Sequence, residues 1–96
     1  MAKWIFQEIE DIKKNILYVG NNIGKTFNEC RKEYHEVLRK KISPELYVRY
    51  LIYSYDIKVD VYMVIVMMRE VYPNISEEQV SDWIEKYKEP HHILVY

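Results

Sequence analysis

The stretch Val59 to Tyr72, VDVYMVIVMMREVY, constrains this chain more than any other. Eight apolar residues, Val61 to Met68, follow one another without a break, and only Asp60, Arg69 and Glu70 in the stretch are charged. A helix that is apolar on nearly every side belongs in the middle of a fold. The expectation is therefore an all-α protein of four or five helices packed around this segment. A strand reading competes with it. Ile57, Val59 and Val61 alternate with Lys58, Asp60 and Tyr62, and β-branched residues suit a buried strand. That alternative is an α+β fold with strands near 16–19, 57–66 and 92–96. The methionine pair and the Arg69-Glu70 continuation favour the helix, and the segment is long for a strand.

The remaining chain reads as cover for this segment. Ile5, Ile9, Ile12 and Ile16 recur at helical spacing, which predicts a helix over 3–18 stopped by Gly20-Asn21-Asn22, residue types that tolerate positive φ. Phe27, Cys30, Tyr34, Val37 and Leu38 form the stripe of a second helix over 26–41. Ser43-Pro44 places an N-cap directly before a proline at the first helical position, so a third helix spans 44–55. Pro73-Asn74 ends the central helix. Ser76-Glu77-Glu78-Gln79 has the form of a capping box, and it opens a last helix over 77–88 with Val80, Trp83, Ile84 and Tyr87 on one face. Residues 91–96 are an apolar tail. Ninety-six residues make one domain of ordinary size, 1–96, with 49% apolar and 30% charged side chains, a globular composition.

Charge and cysteine usage limit the function classes. The net charge of −1 gives no overall pull toward nucleic acid or anionic lipid. One cysteine, Cys30, cannot close an internal disulfide, which fits a reducing, cytoplasmic setting. No stretch approaches the ~18–20 apolar residues of a membrane span, so no membrane partner is expected. Abundant Tyr, Ile, Val, Lys and Glu with two Gly and two Gln resemble the usage of hyperthermophilic archaea and their viruses. That resemblance is one of composition and assigns no functional residue.

Several motifs have plainer readings. Gly20 to Thr26 has the outline of a phosphate-binding loop but holds three residues between its glycines where four are needed. It reads as a helix connection. Asn74-Ile75-Ser76 with Val80 resembles the turn and second helix of a helix-turn-helix. Glu70 and Pro73 depart from that pattern, and Glu77, Glu78, Asp82 and Glu85 would make the reading helix acidic. His35, His91 and His92 lack the spacing of a metal shell. No cofactor, metal ligand or catalytic residue is assigned, and the chain is read as a non-enzyme.

Two functional expectations follow. Tyr47, Tyr50 and Tyr53 recur every three residues along the third helix, beside Leu51 and Ile52. Tyrosine joins an apolar body to a polar tip, which suits an interface. The first expectation is a non-catalytic interaction module that forms a homo-oligomer through Tyr47, Tyr50, Leu51, Ile52 and Tyr53, with a further protein partner not named by the sequence. The second is a small nucleic-acid-binding protein. Residues 25–49 carry seven basic against four acidic side chains, and Lys25, Lys32, Arg39, Lys40 and Arg49 are its candidate contacts.

Overall fold

A computed structural model describes residues 4–55 and 61–88, apart from the side chains of Asn21 and Tyr55. The protein is all-α, and no strand occurs among the described residues. The N-terminal helix comprises α1 (Gln7–Lys13), a π-helical segment (Lys14–Tyr18) and α2 (Val19–Asn22). It is followed by α3 (Phe27–Lys41), α4 (Pro44–Tyr55), α5 (Val61–Val71) and α6 (Glu77–Tyr87). The strand alternative fails where it is tested, because 16–19 is helical and 61–66 opens α5. Its remaining parts, 57–60 and 92–96, lie outside the described residues, as does the tail. The helices fall into two compact units, Met1–Ile42 and Ser43–Tyr96.

In the first unit the N-terminal helix packs against α3. Phe6, Ile9 and Ile12 are buried on one side of the pair and Cys30, Tyr34 and Leu38 on the other, spaced as two helical stripes. The N-terminal helix runs on through Asn22, past the predicted stop at Gly20. Gly20 is buried and helical, and its role is close approach. A Cβ there would lie 2.6 Å from Cys30 Sγ, too near for any real contact. The π turn, whose hydrogen bonds reach one residue further than in an α-helix, slows the rotation of the stripe. Gly20 thereby faces α3, while Val19 and Ile23 are exposed. The chain turns instead at Gly24, whose φ of +84° is the left-handed conformation that favours glycine. Gly20→Ala raises helix propensity by up to ~1 kcal/mol but overpacks the helix contact, at about 1–3 kcal/mol. It should lower the melting temperature, and Cys30→Ala in the same chain should recover part of the loss. A more stable Gly20→Ala protein would contradict the close approach.

In the second unit α4 packs on both α5 and α6, and α5 packs on α6. This corrects which helix is central. Tyr47, Val48, Tyr50, Leu51 and Ile52 are all buried, spanning a wide arc of α4. On α5 the buried residues are Val64, Ile65, Met68 and Val71, a single stripe at spacings of one, three and three, and Val61, Tyr62, Met63 and Val66 are exposed. The apolar run of α5 therefore does not mark a helix surrounded on all sides. Tyrosine rings fill space around α4. The rings of Tyr47 and Tyr50 stack at 6.2 Å, and Tyr72 meets Tyr47 edge-on at 6.3 Å. Both N-cap serines bond as expected, Ser43 Oγ accepting from the Leu46 N–H and Ser76 Oγ from the Gln79 N–H. An Arg69–Glu77 ion pair at 3.1 Å links α5 to the start of α6.

Candidate interaction surfaces

Four of the five expected interface residues, Tyr47, Tyr50, Leu51 and Ile52, are core residues of the second unit, and only Tyr53 is exposed. These four are covered within the chain, where α5 and α6 lie against α4. The apolar residues that do reach the surface lie elsewhere. On α5 they are Tyr62, 72% exposed, with Met63 and Val66 on the same outward face. In the first unit they are Tyr18, Val19, Ile23 and Phe27 around the helix turn. Phe27 was expected in the stripe of the second helix, yet it is 76% exposed. It is the first residue of α3, one turn short of the buried Cys30, so the stripe begins only at Cys30.

Phe27 belongs to the wall of an open groove in the first unit, with a volume of about 790 Å³. Leu17, Tyr18, Phe27 and Cys30 supply its apolar lining. Gln7, Glu10, Asp11, Lys13 and Lys14 line it along the N-terminal helix, and Lys25 lies at the turn. The π segment contributes Lys14, Leu17 and Tyr18, so the widened turn helps to shape this wall. Cys30 is a free, buried thiol, a small apolar side chain in the helix contact.

The five expected nucleic-acid contacts are divided between the two units, four in the first and one in the second. Arg49 belongs to the second unit, where its guanidinium lies 4.8 Å from the centre of the Tyr87 ring, a cation–π arrangement. Lys25 Nζ donates to Glu33 Oε2 at 2.8 Å. That hydrogen bond, with the Glu33 charge, raises the Lys25 pKa above the usual lysine value. Its contribution to stability is present below the ordinary lysine range and lost as the pH rises through the raised pKa. Lys32, Arg39 and Lys40 are exposed on α3 together with Glu36, which matches a solvated face of mixed charge.

The turn before α3 also holds a feature that sequence reading missed. Thr26 Oγ1 accepts from the Glu29 N–H at 3.1 Å, and the Thr26 N–H donates to Glu29 Oε1 at 3.1 Å. This is a complete capping box, and Thr26-Phe27-Asn28-Glu29 is its sequence signature. Hydrogen bonds from the Thr26 backbone and then its side chain hold the Glu29 carboxyl below the usual carboxylate range. That support of the α3 start is present above the ordinary carboxylate pKa and lost as the pH falls through the lowered one. The box accounts for Thr26 in the loop-like motif, and residues 20–22 of that motif are helical, so the two glycines do not frame a phosphate cradle.

Among the described residues no group of three or more His, Cys, Asp or Glu side chains is placed to hold a metal ion. His91 and His92 lie outside them. No helix among them is long and apolar enough to cross a membrane. Comparison with protein-family models, with curated proteins and with solved structures finds no match in any of the three.

Proposed function

We propose that this chain is a non-catalytic helical interaction module that works as a homo-oligomer. The observation that carries the reading is the groove of about 790 Å³ in the first unit, open beside the exposed rings of Tyr18 and Phe27. Units of about 40 residues usually need a staple or a partner, because they bury too little of their surface. The first unit is close to that limit and consists of two packed helical rods. Further helices laid into its groove would enlarge its core. A second copy supplies such helices at every concentration where the protein exists, and a twofold contact covers both grooves at once.

Sedimentation equilibrium at micromolar concentration tests the reading. The expected mass is at least twice 11.8 kDa. Tyr18→Lys with Phe27→Lys should lower it to that of the monomer while leaving the circular dichroism unchanged, because both rings are exposed in the protomer. A single monomeric species of the wild-type chain across the concentration range would end the proposal.

A further inference from the structure

We infer that α5 of a second copy fills the groove, its outward face of Tyr62, Met63 and Val66 lying against Leu17, Tyr18 and Phe27. The inference rests on the self-association proposed above and names the segment that occupies the groove.

The groove is concave with an apolar lining, so its occupant is a convex apolar face, and a helix laid lengthwise supplies one. A second copy offers three helices from its second unit, and two of them lack such a face. Among the described residues α6 exposes no large apolar side chain, and α4 exposes only Tyr53. On α5 Tyr62, Met63 and Val66 are all exposed. At 3.6 residues per turn they fall within an arc of about 100°, opposite the buried Val64, Ile65, Met68 and Val71. Tyr62 and Val66 stand four positions apart, the anchor spacing of a helix seated in a groove. Arg69 and Glu70, also exposed, end the patch one turn further on.

Charge selects this pairing over one of groove against groove. Met1–Ile42 carries nine Lys and Arg against six Asp and Glu, and Ser43–Tyr96 carries five against nine. The imbalance survives the ion pairs within each unit. Lys13 and Lys14 on the groove wall are exposed and make no ion pair among the described residues, and the same holds for Lys32, Lys40 and Lys41 on α3. In the second unit Glu78 and Asp82 are exposed on one face of α6 without an ion pair among the described residues. Its described bases are engaged, Arg69 by Glu77, Lys88 by Glu85, and Arg49 and Lys86 by the Tyr87 ring. Two first units brought face to face would therefore set lysine against lysine. A second unit brings negative charge to a positive one.

Cross-linking of the full chain through introduced cysteines tests the docking. Two variants both carry Cys30→Ala, which removes the native thiol. One adds Phe27→Cys and the other Val66→Cys, both at exposed positions, so each copy holds a single thiol. A short bismaleimide should join the two variants when they are mixed, giving a linked dimer with one copy of each. Where the wild type self-associates, a mixture that gives no such dimer overturns the docking and leaves self-association standing. So do links confined to copies of the same variant. A monomeric wild type removes both readings. Val66→Lys sets a positive charge on the docking face, opposite the groove lysines, and should weaken self-association at least about tenfold with helicity unchanged. Wild-type association of Val66→Lys overturns the docking as well. Either measurement decides alone should a variant of the other fail to fold.

Discussion

Ile52→Glu should unfold the second unit, and not merely separate copies of the chain. Ile52 is 1% exposed on α4, the helix that packs on both α5 and α6. A lone buried carboxylate costs several kcal/mol, against a total stability of about 5–15 kcal/mol for a domain. Tyr53, one residue on, is 45% exposed, so Tyr53→Glu should change stability by no more than about 0.5 kcal/mol. The same contrast holds on α5, where Val64 is buried and Val66 is exposed. Val64→Asp should abolish the cooperative melt, and Val66→Asp should preserve it. Circular dichroism melting of the four variants checks the set. If Ile52→Glu melts like the wild type and only lowers the sedimenting mass, α4 is a surface helix and the described packing is wrong.

Phe6→Ala should cost about 3–5 kcal/mol, the usual range for deleting a fully buried phenylalanine. In a domain of this size that lowers the melting temperature by roughly 12 °C or more. Phe6 is 0% exposed although it precedes the first full helical turn, and its ring meets Trp4 edge-on at 5.7 Å. Trp4 is 39% exposed, so Trp4→Ala should cost far less. Comparable melting of the two variants would show that the N-terminal turn is not anchored by Phe6.

Much of the architecture was legible in the chain because it depends on neighbours in sequence. Ser43-Pro44 and Ser76 mark helix starts through hydrogen bonds that span three residues. Ile9 with Ile12, Cys30 with Tyr34 and Leu38, and Val80 with Ile84 and Tyr87 bury themselves as their spacing indicates. The Thr26–Glu29 box was equally readable and went unrecognised, as did Phe6, which lies inside the predicted helix three residues before Ile9. The candidate site was less legible. Its stripe of Glu10, Asp11, Lys13 and Lys14 reads in sequence as an ordinary polar helix face. Only the placement of α3 beside it, with Phe27 exposed, makes that face the side of a groove.

Other outcomes were decided by contacts between residues distant in sequence. Both α4 and α5 are rich in apolar residues, and the pattern within each cannot say which is surrounded. Each of the two packs on the other and on α6, yet α4 buries a wide arc while α5 buries one stripe, a difference set by how the three helices are arranged. Gly20 looked like a helix stop because of its backbone freedom, yet it is required by the Sγ of Cys30, ten residues away. Lys25 and Arg49 looked like members of one basic surface, until folding set Lys25 beside Glu33 and Arg49 over Tyr87. Capping and helical period are short-range and act within one element. Burial, close approach and charge pairing are properties of surfaces brought together by the fold, so they appear only when the helices are assembled.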